Sequence, residues 1–230
     1  YKMNLSSKNA KEAMENYYLH EANVFKKQLL ITLNDSSACI NSGEMLFTAG
    51  EIKIKTNVKG MGDFIGKAIS SSLTGEGMIK PKYFGNGYIM LEPTYKYIIL
   101  EELHGEQGVI ISDGTFMACS GDVKLKTIAV SSISSATFGK EGIFNLLLKG
   151  KGVICFTSPV PRSDITIVQL KNDILRVNGN YALAWSEGLD FTVEPSSSFF
   201  FGNAVSAEGY VNVYKGTGTI WLASVITNYL

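Results

Sequence analysis

Three stretches of the chain have almost the same order of residues: GEGMIKPKYFGNGYIML (75–91), KEGIFNLLLKGKGVICF (140–156) and AEGYVNVYKGTGTIWLA (207–223). Each contains Glu-Gly, an apolar run, a Gly-x-Gly element and a second apolar run. The Glu-Gly pairs lie 65 and 67 residues apart. Self-similarity at a nearly fixed period is typical of a duplicated supersecondary unit, so these stretches predict an internal triplication.

A second repeated block lies upstream of each stretch, in NSGEMLFTAGEIKIKT (41–56), SDGTFMACSGDVKLKT (112–127) and VNGNYALAWSEGLDFTV (177–193). Apolar and polar residues alternate in these blocks, as in half-buried β-strands. The sequence therefore predicts an all-β chain of three tandem antiparallel β-sandwich units, over residues 28–94, 95–160 and 161–230. We expect a pseudo-threefold arrangement in which closure leaves no unpaired end, because a single unit has too little core to be stable alone.

The Gly-x-Gly elements have the residues of a tight turn. Asn86-Gly87 is a strong signal for a two-residue hairpin, because glycine adopts positive φ without steric cost. Each element is therefore predicted to be a β-hairpin turn. Proline cannot donate to a sheet ladder, so Pro93 and Pro159 are predicted to mark the joints between units.

The first residues have a different pattern. Asn9 can cap a helix, and Glu12 follows three positions later as in a capping box. Apolar and aromatic residues then recur on one helical face, at Ala10, Ala13, Met14, Tyr17 and Tyr18. We predict a helix near residues 9–24, within an N-terminal extension of residues 1–27.

The composition excludes disorder and disfavours a nucleic-acid binder. The chain has 230 residues, 45% hydrophobic and 18% charged, with 21 basic and 21 acidic residues. Phosphate contacts dominate nucleic-acid affinity, so such binders usually have a basic excess. Lys53 and Lys55 of the first block match Lys124 and Lys126 of the second, whereas the third has Asp190 and Thr192. No DNA partner is expected, and RNA is disfavoured.

Cys39, Cys119 and Cys155 each lie among apolar residues and form no C-x-x-C pair. They are predicted to be reduced thiols buried in the core, as in a reducing compartment. No segment approaches the ~20 apolar residues of a membrane helix, and no cleavable signal pattern is visible. The sequence predicts a cytoplasmic protein without an integral membrane segment.

No pattern of residues predicts catalysis or a cofactor. The stretch KGMGDFIGKAISSS (59–72) resembles a phosphate loop but has Met61 where that motif needs glycine and Ala68 where it needs Ser or Thr. G-x-S-x-G does not occur, and the two histidines form no metal-ligand cluster. We therefore predict a chain that is not an enzyme, without catalytic residues, cofactor or metal site.

Two sets of residues are candidate functional positions. Glu76, Glu141 and Glu208 recur at the same point of each repeat and would form a carboxylate cluster if the units surround one axis. The alternative is that each glutamate caps backbone N–H groups at a strand start. Three consecutive aromatic residues, Phe199, Phe200 and Phe201, cannot all point to one face of a strand. They are predicted to lie in an interface, so the protein is expected to form a homo-oligomer.

The repeated motifs in combination resemble one family. The stretches SLTGEGMIKPKYFGNGYIMLEPTYKY (72–97), DGTFMA (113–118) and YVNVYKGTGTIWLA (210–223) look like bacterial members of the altered-inheritance-of-mitochondria family, formerly a domain of unknown function. The resemblance covers about residues 25–225. It implies a jelly-roll-like fold similar to the tryptophan RNA-binding attenuation protein, and no catalytic residues. Function is then expected to be that of a self-associating scaffold or binding protein, with RNA or small-ligand binding as the alternative.

Overall fold

The computed structural model describes residues 17–21, 26–55, 80–129, 144–178, 181–195 and 210–223. These residues form fourteen β-strands and two single-turn 3₁₀ helices, Asp113–Thr115 and Arg162–Asp164. Strand pairing is antiparallel throughout the described residues, in two seven-stranded sheets. The prediction of an all-β chain is confirmed.

The first sheet takes its strands from the first two thirds of the chain: β1 (Tyr17–Glu21), β2 (Lys27–Ile40), β3 (Met45–Lys55), β4 (Lys82–Leu91), β5 (Tyr97–His104), β7 (Phe116–Ser120) and β10 (Lys151–Ser158). The second sheet contains the others: β6 (Val109–Ser112), β8 (Lys124–Ala129), β9 (Phe144–Lys149), β11 (Ile165–Asn178), β12 (Ala182–Ser186), β13 (Leu189–Pro195) and β14 (Tyr210–Ala223). The middle segment of the chain therefore contributes strands to both sheets.

The order of strands leaves open edges. The first sheet runs β3-β4-β2-β7-β10-β5, with β1 added to β2, and the second runs β11-β14-β12-β6-β9-β8, with β13 added to β14. Among the described strands, β3 pairs only with β4, and β11 pairs only with β14. The expected closure that leaves no unpaired end is therefore not made by the described strands.

The predicted N-terminal helix is wrong over residues 17–21. These residues form β1, which pairs with β2 from Tyr17 opposite Ile31 to Glu21 opposite Lys27. Aromatic residues favour strands, and β1 supplies hydrogen-bond partners to a stretch of β2 that a helix would leave unpaired. Residues 9–16 and 22–24, the rest of the predicted helix, lie outside the described residues.

The Gly-x-Gly elements are not hairpin turns. Gly85-Asn86-Gly87 lies inside β4 and Gly216-Thr217-Gly218 lies inside β14, while Gly150 joins β9 of the second sheet to β10 of the first. We call β4, β9 with β10, and β14 the corner strands. Each continues through its glycines instead of reversing there.

Close approach between backbones explains why glycine is needed at these corners. A Cβ atom on Gly87 would lie 2.1 Å from the carbonyl oxygen of Ala49, and one on Gly85 would lie 2.0 Å from that of Glu51. The φ angles of Gly85 and Gly87 are also positive, 131° and 150°, where side chains are rarely accommodated. The Gly-x-Gly pattern thus correctly predicted glycines with positive φ, but these glycines lie inside a continuous strand and not in a tight turn.

The residue between the two glycines decides whether the neighbouring strand stays continuous. Asp35 of β2 has φ of 46° and donates its backbone N–H to Asn86 Oδ1 at 2.7 Å. Asn172 of β11 has φ of 52° and donates in the same way to Thr217 Oγ1 at 2.9 Å. In the middle segment this position is Lys151, which has no acceptor atom. There the neighbouring strand is interrupted between β5 and β6.

The described residues form three apolar core clusters. One contains residues of the first sheet only, including Leu29, Ile89 and Val153. Another contains residues of the second sheet only, around the aromatic contacts of Trp185, Phe191 and Tyr214. The third joins the two sheets and includes these residues: Phe116, Ile154, Phe156, Leu148 and Ala184. The middle segment therefore holds the two sheets together.

We predict that Gly87→Ala lowers the free energy of unfolding by roughly 2–4 kcal/mol, because the new Cβ clashes with a backbone oxygen and the residue has positive φ. Gly114→Ala is the matched control, since nothing lies within 4 Å of a Cβ there. Its effect should stay within about 0.5 kcal/mol. Urea unfolding followed by circular dichroism measures both, and equal losses would show that the corner tolerates a side chain.

Candidate functional site

The residues that the sequence suggested as functional lie outside the described residues. This holds for Glu76, Glu141 and Glu208, and for Phe199, Phe200 and Phe201. The carboxylate cluster and the aromatic interface therefore stay predictions. Among the described residues no three His, Cys, Asp or Glu side chains lie together as a metal site would require.

Strands from neighbouring repeated segments of the sequence pair at two places, which we call junctions: β2 with β7, and β6 with β12. At the first junction, β2 pairs with β7 over three residues, with Ala38 opposite Ser120, Cys39 opposite Cys119 and Ile40 opposite Ala118. The Gly121 N–H extends this ladder by donating to the Ser37 carbonyl at 2.8 Å. The Asn41 N–H extends it at the other end by donating to the Met117 carbonyl at 2.8 Å. Three apposed residues with a hydrogen bond at each end thus connect the first repeated segment to the second.

The second junction has the same form. Here β6 pairs with β12, with Val109 opposite Ser186, Ile110 opposite Trp185 and Ile111 opposite Ala184. The Glu187 N–H donates to the Gly108 carbonyl at 2.9 Å, which is the counterpart of the bond from Gly121 at the first junction. Serine has the same role at both places, since Ser120 Oγ accepts from the Val153 N–H and Ser186 Oγ from the Thr219 N–H, each at 2.9 Å.

An ion pair covers one end of the second junction. Lys149 Nζ lies 2.8 Å from Glu187 Oε2, and the same carboxylate oxygen accepts from the Gly108 N–H at 3.2 Å. The hydrogen bond from Lys149 holds the pKa of Glu187 below its usual range. Because both side chains are partly exposed, the pair fixes the position of the carboxylate more than it stabilises the fold.

The first junction contains a pair of thiols. The Cys119 thiol donates a hydrogen bond to Cys39, which lowers the pKa of Cys39 to about 7, with burial acting in the opposite direction and the Lys82 ammonium assisting. Lys82 is held at this place because its Nζ donates to the Gly121 carbonyl at 2.7 Å. Cys119 is fully buried, and burial raises its pKa well above the usual range. Cys39 is half-buried and is the reactive member of the pair.

Among the described strands, β3 and β5 end the first sheet and β11 and β8 end the second. Of these, β3 and β11 expose large apolar side chains. On β3, Leu46 and Phe47 are 45% and 47% exposed, and on β11, Ile167 and Ile174 are 47% and 40% exposed. Tyr88 on the neighbouring β4 is also exposed. An open strand edge presents unpaired N–H and C=O groups, and exposed apolar side chains beside it favour association with another chain.

Comparison with known proteins identifies the family. The family described as Mitochondrial biogenesis AIM24 matches residues 23–225. The chain belongs to this family. The resemblance predicted from the repeated motifs is therefore confirmed.

A bacterial protein of known structure is similar in fold to this AIM24 chain. The crystal structure of protein SPYM3_0169 from Streptococcus pyogenes is similar with a TM-score of 0.67 and 23% sequence identity, over 91% of this chain and 93% of that chain. At this identity the likeness concerns the fold alone. No curated protein matches the chain in sequence.

Two carboxyl groups in the described part of this AIM24 chain, Glu44 and Glu101, have a raised pKa, as a catalytic acid often does. Burial raises the pKa of Glu44, while a hydrogen bond with Asn41 opposes the shift. Burial raises the pKa of Glu101 on β5, while Arg162 opposes the shift. Arg162 Nε lies 2.5 Å from Glu101 Oε1, and its guanidinium lies 5.9 Å from the Trp221 ring centroid. The pair thus connects a strand of the first sheet to residues of the second. A carboxylate matched to a permanent cation in this way is typical of a structural contact between layers.

Sequence reasoning missed the thiol pair and the open edges in this AIM24 member. Cys39 and Cys119 belong to different repeats, and no local pattern indicates that β2 lies beside β7. The prediction of buried core thiols holds for Cys119 and Cys155, whereas Cys39 is half-buried. The repeat alignment does contain one signal of the junctions: serine occurs at 120 and 186, where the first repeat has Ala49. Only the strand pairing shows that these two serines accept backbone hydrogen bonds at the junctions.

We also note that no helix in the described ranges has the length and apolar character needed to cross a bilayer.

We predict that Cys39 is alkylated fastest of the three cysteines, with a rate that rises with pH and is half-maximal near pH 7. The thiolate is the nucleophile, so a lowered pKa makes Cys39 reactive at neutral pH. Cys119→Ala removes the hydrogen-bond donor and should move the midpoint upward. Cys155→Ala is the control and should leave it unchanged. Iodoacetamide labelling with peptide mass spectrometry measures this; a midpoint that Cys119→Ala does not move would contradict the assigned cause.

Proposed function

We propose that this AIM24 member is a non-enzymatic, self-associating scaffold or binding protein. The observation that carries the proposal concerns β3 and β11, which each end one of the two sheets. Among the described strands each pairs on one side only, and both expose large apolar side chains. Native proteins usually protect such edges with charge, proline, bulges or a covering segment. An edge with Leu46 and Phe47 at the surface instead favours a partner.

We further propose that the chain is built from three copies of one β unit. Each corner strand pairs on both sides, β4 with β2 and β3, β10 with β5 and β7, and β14 with β11 and β12. The matching bonds of Asp35 to Asn86 and of Asn172 to Thr217 support the same relation between the first and third copies. Arrangement of the copies about a threefold axis and location in the cytoplasm stay predictions from the sequence.

The non-enzymatic part of the proposal is supported by the groups with shifted pKa values. Glu101 is paired with Arg162, and Glu187 is paired with Lys149. Cys39 has a buried thiol as its neighbour, with no histidine acting as base among the causes of its shift. The shifts of Glu101, Glu187 and Cys39 therefore have structural causes, and none of these three indicates a nucleophile with a general base.

Sedimentation velocity over a range of protein concentrations tests self-association. We expect the mass to rise above the 25.1 kDa of one chain as concentration increases, because open apolar edges pair by mass action. The mass should be retained at high salt, since apolar contact and backbone pairing are weakly screened. A mass of one chain at every concentration would overturn the proposal.

RNA binding is the alternative function, and exposed lysines give it some support. Lys53 and Lys55 on β3 and Lys124 and Lys126 on β8 are exposed on outward-facing positions. The corresponding positions of β13 are Asp190 and Thr192, so the positive charge is not repeated in the third copy.

We predict no binding of single-stranded RNA at micromolar protein concentration and physiological salt, because the net charge is zero and affinity depends on phosphate neutralisation. Fluorescence anisotropy with a labelled mixed-sequence oligonucleotide measures it. Binding that weakens steeply with salt, and is lost when Lys53 and Lys55 are both changed to Gln, would favour the alternative.

A further inference from the structure

The Gly-x-Gly elements give a common reference for comparing strand pairs in different parts of the chain. The residue four positions after the first glycine is isoleucine in each corner strand: Ile89, Ile154 and Ile220. These three residues lie opposite Thr48 on β3, Cys119 on β7 and Trp185 on β12. Thr48, Cys119 and Trp185 therefore occupy the same position in three corresponding strands.

The first glycine also relates the strands on the other side of each corner strand. The residues three positions before the first glycine are Lys82, Leu147 and Val213. They lie opposite Cys39 on β2, Ile110 on β6 and Arg176 on β11. Cys39, Ile110 and Arg176 therefore also occupy corresponding positions.

Two pairs of these corresponding positions lie opposite each other within the chain. Cys39 lies opposite Cys119 at the first junction, and Ile110 lies opposite Trp185 at the second. The remaining members are Arg176 on β11 and Thr48 on β3. Among the described strands, neither β11 nor β3 has a second partner on its outer side. The described strands thus make the same junction twice, and β11 and β3 hold the positions that correspond to a third junction, which the described strands do not make.

We propose that chains associate head to tail through this third junction, with β11 of one copy pairing antiparallel with β3 of the next. The proposal rests on the self-association proposed above and specifies its surface. The register follows from the two internal junctions: Arg176 opposite Thr48, Leu175 opposite Ala49 and Val177 opposite Phe47. The occupant of each open edge is therefore a second copy of this chain.

The side chains at the proposed junction are suited to burial. At the internal junctions, Ala118 faces Ile40 and Ala184 faces Ile111, and all four residues are fully buried. Phe47 and Val177 are the corresponding residues of the third junction. Directly opposite residues of an antiparallel pair share one face of the sheet. Pairing would therefore place the exposed Phe47 ring beside Val177, which is already 8% exposed, and remove the ring from water.

The proposed contact has a direction. It joins two different edges, so each added copy leaves one β3 and one β11 available at the ends. Such heterologous contacts produce a closed ring or an open fibre, whereas a symmetric dimer would join two identical edges. The association is therefore directional, and both ends of an open assembly can pair with a further chain.

Disulfide crosslinking tests the register. Opposite residues of a strand pair are close enough for a disulfide, so Thr48→Cys chains mixed with Arg176→Cys chains should give a crosslinked dimer on mild oxidation, seen on a non-reducing gel. Each single variant alone should give only the background of the unmodified chain, whose native cysteines serve as the control. The double variant should give a ladder of multiples of one chain.

A matched control uses the other half of β3. Ile54 is exposed like Phe47, but its counterparts lie on β8 and β13, whose only described partners are β9 and β14. Ile54→Cys mixed with Arg176→Cys should therefore stay uncrosslinked. In sedimentation, Phe47→Lys should raise the concentration needed for association by about tenfold or more, while Ile54→Lys leaves it unchanged. Thermal melting confirms that both variants fold.

The outcomes separate the two proposals. If the unmodified protein has the mass of one chain at all concentrations, self-association and the third junction both fail. If it self-associates but Thr48→Cys and Arg176→Cys chains do not crosslink and Phe47→Lys has no effect, self-association stands and the β11–β3 contact is overturned. A double variant that forms the disulfide within one chain would also overturn it, because the edges would then meet intramolecularly.

Discussion

Backbone contact at the Gly-x-Gly corners is the constraint on which the remaining structure depends. A strand can run past its neighbour here only because no Cβ occupies the 2 Å space in front of the Ala49 and Glu51 carbonyl oxygens. A Cβ on Gly85 or Gly87 would push the backbones of β3 and β4 apart and break hydrogen bonds between them. The chain also continues through Gly150, where φ is 123°, as it leaves the second sheet and enters the first.

Because corner strands bend in place, one segment can belong to two sheets. The middle segment does so, and it contributes Phe116, Leu148 and Phe156 to the cluster that joins them. The first and last segments have a neighbour on one side only. Among the described strands, their outer strands β3 and β11 are consequently edges, although the corresponding positions of β6, β7 and β12 are paired inside the chain. In the proposed triplication, repetition of one unit accounts for the junctions and for these edges together.

The thiol pair shows how a junction gives chemical properties that its separate strands lack. Cys39 alone would be an ordinary half-buried thiol. Placed opposite Cys119 and near Lys82, its thiolate is stabilised by a hydrogen-bond donor and a cation. The partner is buried and holds its proton, because burial disfavours the thiolate form. A reactive cysteine therefore lies at the contact between two repeats.

The sequence by itself determined the all-β class and the family, because alternating apolar residues and the repeated Glu-Gly and Gly-x-Gly spacing are local properties of the chain. It misassigned the corners as hairpins, since glycine with positive φ serves a tight turn and a close backbone approach equally well. It also placed Tyr17–Glu21 in a helix, because apolar spacing does not reveal that β2 needs an edge partner. Tertiary structure alone decided that Cys39 lies opposite Cys119 and that, among the described strands, β3 and β11 each pair on one side only. Strand neighbours distant in sequence are fixed by packing and hydrogen-bond satisfaction, which no local pattern encodes.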